Sequence, residues 1–166
     1  MMLRVTDDSG FLAVVVPSAY STFVDSNWEF DQLFDHFRDQ MKQRLLLIWG
    51  TGLEGFWNVD VRLEPTSVSG FRQVTGPIRV AGGAVLVTNY ESLTMAAQFA
   101  NVRLPEKHQK DLLIKLADGE YCCRIIQMFD PDKYESLKAC TPDFVIEFSR
   151  EASTPAPWAD VPWFTR

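Results

Sequence analysis

The chain has 166 residues, 46% of them hydrophobic and 23% charged, which fits one domain around one core and excludes the low-hydrophobicity signature of disorder. Its formal charge of -6 repels phosphate backbones, and Lys107, Lys110 and Lys115, the nearest approach to a basic patch, stand beside Glu106 and Asp111, so nucleic acid is not an expected ligand. The early apolar run Phe11 to Val16 is far too short to span a membrane and follows Asp7 and Asp8 where a signal peptide carries basic residues; no membrane partner is expected, and the expected compartment is the cytoplasm.

Leu3 to Val5 and Phe11 to Val16 read as two strands of a hairpin around the polar turn Thr6 to Gly10. From Ser26 the period changes: Phe30, Leu33, Phe34, Phe37 and Met41 share one helical face, and Ser26 with Glu29 makes an S-x-x-E cap, which predicts a helix from about Asn27 to Lys42. Arg44 to Trp49 reads as a buried strand. Trp57, Val59, Val61 and Leu63 alternate with Asn58, Asp60, Arg62 and Glu64 in a half-exposed one.

Ile78 to Ala81 and Ala84 to Tyr90 flank Gly82-Gly83, a two-residue turn suited to a tight hairpin. Glu91 to Ala100 reads as a short helix before Pro105. Leu112 to Leu116 and Glu120 to Phe129 flank Asp118-Gly119, a second hairpin signal, and Phe144 to Phe148 is a last strand. Strands pairing with their chain neighbours predict an α+β fold, mainly antiparallel β: a sandwich or curled sheet with one or two short helices packed against it. Residues 1–150 form this domain. Residues 151–166, rich in proline and tryptophan, form a tail expected to dock on the domain or on a sister subunit in a homo-oligomer.

Gly50-Thr51-Gly52-Leu53-Glu54-Gly55 matches G-x-G-x-x-G after a strand, yet a dinucleotide site needs a helix to start within the glycines. The alternating stretch that follows is a strand, so the glycines read as those of a hairpin loop. Asp31, Asp35 and Asp39 recur every four residues and line one side of the first helix, with Arg38 beside them. At about 6 Å per step they are too spread to close a metal shell. They read as a solvated face, and as the surface to offer a basic partner.

Asp130-Pro131-Asp132 reads as a helix start running toward Leu137, with Asp130 as its cap. His36 and His108 have no partner at ligand spacing, and Cys122, Cys123 and Cys140 read as reduced thiols, with Cys140 in a loop. Tyr121 to Phe129 is apolar on both faces except at Arg124 and Gln127. A guanidinium there needs a carboxylate, and Glu147 is the predicted one; in the rival reading Arg124 lines a cavity for an anion. Trp158 and Trp163 are the aromatic anchors of the tail.

These features lead to an intracellular binding or interaction protein, an acidic inhibitor or immunity-type partner of a basic protein, with Asp31, Asp35, Asp39, Trp158 and Trp163 at its contact surface. The alternative is a small-molecule-binding barrel or enzyme whose pocket gathers Arg124, Gln127 and Asp130. No cofactor, metal or catalytic set is assigned.

Overall fold

Continuous and alternating apolar runs sort the strands into layers. The computed structural model describes residues 1–134, 142–151 and 153–165. Within them the order is β1 (Met2–Asp7), β2 (Phe11–Val15), α1 (Phe30–Lys42), β3 (Leu46–Gly50), β4 (Gly55–Arg62), β5 (Arg72–Val80), β6 (Ala84–Asn89), α2 (Tyr90–Gln98), β7 (Leu113–Lys115), β8 (Gly119–Gln127) and β9 (Phe144–Ser149), with short 3-10 turns at Lys107–Leu112 and Pro131–Lys133. The strands form a four-stranded sheet, β3-β2-β6-β7, and a five-stranded sheet, β1-β4-β9-β8-β5. Every pairing is antiparallel except β4 with β9.

Every residue of β2 and β3 is buried, because the four-stranded sheet is the middle layer. One of its faces meets the five-stranded sheet through Leu12, Val14, Trp49, Trp57, Ile125 and Phe144. Its other face carries Val15 and Ile48 against Leu33, Phe34, Phe37 and Met41 of α1 and Leu93 of α2. Each such fully buried side chain contributes about 1.5 to 3 kcal/mol. β1 and β4 alternate, since their second face looks outward. No helix among the described residues is long and apolar enough to cross a membrane.

The α+β, largely antiparallel architecture follows the sequence reading, but its connections do not. The turns at Gly10, at Gly50 to Gly55, at Gly82-Gly83 and at Asp118-Gly119 each join strands of opposite sheets, so none closes a hairpin. Positive φ at Gly10, Gly52, Gly82, Gly83 and Gly119 lets the chain reverse. Reversal says nothing of which sheet the second strand enters. The first helix also starts later than its Ser26 pattern predicts: Glu29 is the cap, and its carboxylate and the Gln32 side chain exchange hydrogen bonds with each other's backbone. Asn89 caps α2 by accepting the Ser92 N–H.

The first crossing is held by Asp7, a carboxylate 1% exposed. Its Oδ1 accepts the N–H groups of Ser9, Gly10 and Phe11, at 3.0, 2.7 and 3.1 Å. Its Oδ2 accepts Trp57 Nε1 at 3.1 Å and lies 3.0 Å from Thr51 Oγ1. Asp7→Ala leaves the buried Phe11 amide, the part-buried amides of Ser9 and Gly10 and the buried Trp57 indole without this acceptor. It is expected to lower unfolding stability by about 3 to 5 kcal/mol, and Asp7→Asn, which keeps one acceptor oxygen, by less. Urea denaturation of the two variants checks this ranking; equal losses refute it.

Candidate functional site

Helix α1 forms because its apolar residues fall on one stripe, and burying that stripe turns the remaining face to solvent. Asp31, Asp35 and Asp39 are exposed along it. Gln43 Nε2 donates to Asp39 Oδ2 at 2.8 Å and Arg38 Nη1 to Asp35 Oδ1 at 3.0 Å. The same guanidinium reaches across the chain: Arg38 Nε donates to Asp160 Oδ1 at 3.1 Å. Asp160 therefore joins the row, with its side chain 70% exposed. Nothing in the local sequence around Asp160 signals this. Its position depends on how the tail docks.

The tail lies along its own domain. Trp158 Nε1 donates to the Thr75 carbonyl at 2.8 Å, and a Cβ on Gly76 would stand 2.7 Å from both Leu47 and the Trp158 ring. Val161 is buried with the helices, and Phe164 packs on Phe11 and Phe34 with ring centroids 5.0 and 5.3 Å apart. Gly50 N–H donates to the Pro162 carbonyl, and a Cβ at Gly50 would lie 2.7 Å from the Trp163 carbonyl oxygen. Gly50 of the G-x-G-x-x-G stretch thus seats the tail, Gly52 faces Pro131 and Gly55 faces Trp57, and the chain after Gly55 is extended. Trp158 and Trp163 are half-buried against their own chain.

The structure brings Gln127 and Asp130 to the same end of β8 and leaves Arg124 apart. Buried Gln127 donates through Nε2 to the Thr51 carbonyl at 3.0 Å and accepts Arg72 Nε at 2.9 Å. Arg72 lies over the Trp163 ring, 4.4 Å from its centroid, and its Nη2 is buried with no hydrogen-bond partner among the described residues. Burial lowers the Arg72 pKa, and the charges of Asp130 and Asp132 oppose that shift. Asp130 accepts the Asp132 N–H at 3.0 Å as cap of the 3-10 turn; Leu137 and Cys140 lie outside the described residues.

Arg124 stands on the opposite face of β8, where its Nε is 3.3 Å from Glu147 Oε1, the predicted pairing. It also donates to the Val68 carbonyl, and Glu147 accepts the backbone and hydroxyl of Thr66, so these two charges fasten residues 63–71 over the sheet. Cys122 and Cys123 are free and buried, and burial pushes the Cys123 thiol upward. No cluster of three or more His, Cys, Asp or Glu able to hold a metal occurs among the described residues.

No family model and no curated protein matches the chain. Among solved structures, "Crocagin biosynthetic gene J" is similar over 89% of this chain and 93% of its own, with a TM-score of 0.56 at 13% identity. ComJ from Bacillus subtilis, described as an inhibitor of the DNA degrading activity of NucA, is similar over 89% of this chain and 93% of its own, with a TM-score of 0.49 at 10% identity. The first likeness is one of fold.

His36, on α1, lies with its ring centroid 5.5 Å from that of Tyr20. Burial lowers its pKa from the ordinary 6.5, opposed by a backbone hydrogen bond with Ser21 and the charge of Asp39. The unfolded chain therefore protonates first. Stability from the neutral imidazole is complete above 6.5 and is lost as pH falls through 6.5 toward the lower folded-state value. Asp143, whose pKa burial raises, contributes with the opposite sign. Comparing His36→Gln with the wild type isolates the histidine: its urea midpoint is expected to fall less between pH about 7 and about 5. Identical slopes contradict this. Deleting residues 151–166 is expected to cost roughly 3 to 5 kcal/mol through lost aromatic burial, measured by the same denaturation; unchanged stability contradicts the docked tail.

Proposed function

We propose that the protein is a non-catalytic interaction protein, an acidic inhibitor or immunity-type partner that closes on a basic protein through the face shared by α1 and the tail. The observation that carries this reading is the joining of Asp160 to Asp35 through Arg38, at 3.1 and 3.0 Å. Two distant segments supply Asp31, Asp35, Asp39 and Asp160 to one surface of a chain whose formal charge is -6. Such a surface speeds encounter with a basic partner and disfavours acidic ones. A nuclease fits this charge, since the surface that holds a phosphate backbone is basic.

The residues of the rival pocket are engaged by their own chain: Arg124 with Glu147, Gln127 with Thr51 and Arg72, Asp130 with the Asp132 amide. That engagement favours the interaction reading. Trp158 and Trp163 then serve the face indirectly, by holding the strap that carries Asp160.

Native lysate passed over the immobilised protein at low and at high salt tests the proposal, with mass analysis of whatever is retained. The expected outcome is a basic protein released by salt. Neutralising Asp31, Asp35, Asp39 and Asp160 together to Asn is expected to slow its association at low salt by at least about tenfold. Salt-independent capture that the fourfold variant retains, or a tightly held metabolite in place of a protein, refutes the reading.

A further inference from the structure

We propose that the free edge of β7 receives an extended, acidic segment of another protein, which adds to the middle sheet as a fifth strand. The inference stands apart from the α1 and tail face, since β7 is the edge of that sheet opposite β3.

The register shows which backbone groups are on offer. Lys115 pairs with Ala84 and Ile114 with Val85, and the Leu116 N–H donates to the Gly83 carbonyl at 3.0 Å. In an antiparallel pair, bonding and non-bonding positions alternate. Ile114 and Leu116 therefore turn their polar groups to β6, and Leu113 and Lys115 turn theirs outward. The Leu113 N–H is taken by the Lys110 carbonyl. The Leu113 carbonyl and both polar groups of Lys115 have no hydrogen-bond partner among the described residues.

The opposite side of the sandwich is closed. The tail bonds to β3 at Gly50 and to β5 at Thr75, and the Arg79 N–H of β5 donates to the Arg44 carbonyl. Two hollows border β7. One, of about 710 Å³, is lined by Val61, Leu63 and Ile114 together with Arg62 and Glu64. The other, of about 640 Å³, is lined by Lys110, Leu116 and Ala117. Leu113 and Lys115 line both hollows.

An added strand runs beside Leu113 and Lys115 and so alongside both hollows they line, where its alternating side chains find room. Lys110 and Lys115 have no carboxylate within ion-pair distance among the described residues, which suits acidic side chains beside them, while Val61 and Leu63 suit apolar ones. A lysine on a short edge strand otherwise serves to block pairing. The paired hollows and the unmatched charges favour reception here.

The probe is a synthetic peptide alternating valine and glutamate, titrated into the full chain and followed by amide NMR, with a valine and lysine peptide and a backbone N-methylated valine and glutamate peptide as controls. The expected result is saturable binding of the first peptide alone, with slowed hydrogen exchange at the Lys115 amide. Lys115→Pro removes an outward N–H and no ladder bond, so it should leave the spectrum folded and weaken binding at least about tenfold. Lys110→Gln with Lys115→Gln should weaken it and remove its salt dependence. Equal binding of all three peptides, no saturable binding, or protection confined to residues away from β7 overturns the proposal.

Discussion

A buried carboxylate organises one end of this molecule. Asp7 closes the first strand of the outer sheet, gathers the three amides of the turn into the middle sheet, and accepts the indole of Trp57 from β4. Burying a lone carboxylate costs many kcal/mol, and the arrangement is stable because both oxygens accept hydrogen bonds, from the following turn, from β2 and from β4. The Thr51 hydroxyl beside it and the Thr51 carbonyl, which takes the Gln127 amide, extend this polar core from β1 to β8. The glycine loop and the tail rest on that polar core.

The layers were legible in the sequence, in part. Runs apolar at every position, Phe11 to Val16 and Leu45 to Trp49, both form strands of the sheet covered on two sides, whereas the alternating stretch from Trp57 forms a strand with one face outward. Read against each other, neighbours of unlike burial pattern belong to different sheets, and that contrast marked two of the crossings mistaken for hairpins. At Gly82-Gly83 and Asp118-Gly119 the contrast is weaker. β8 lies in the outer sheet yet is buried on both faces, because residues 63–71 fold over it through Thr66, Val68, Arg124 and Glu147. Glycine chemistry reports a reversal and is blind to the partner.

For the candidate face the division is similar. The acidic row on α1 follows from helical spacing alone. Asp160 joins it through contacts that involve Gly50, Gly76 and Phe164, each far from it or from α1 in sequence, so local pattern carried no sign of it. The Arg124 and Glu147 pair was legible because a guanidinium in an apolar strand demands a counter-charge. Arg72 escaped notice: in sequence it sits in an unremarkable polar stretch, and its place over Trp163 is a product of tail docking.

The last strand has a consequence for how such a chain is made. β9 lies in the interior of its sheet, between β4 and β8. Before it arrives, β1 with β4 and β8 with β5 are two separate ribbons, each with an open inner edge. A nascent chain emerging from a ribosome cannot complete this sheet until β9 has been synthesised, and closing it means threading one segment between two preformed pairs. Distant pairings of this kind make folding slow and concerted. The half-built protein would expose two sticky edges to its neighbours.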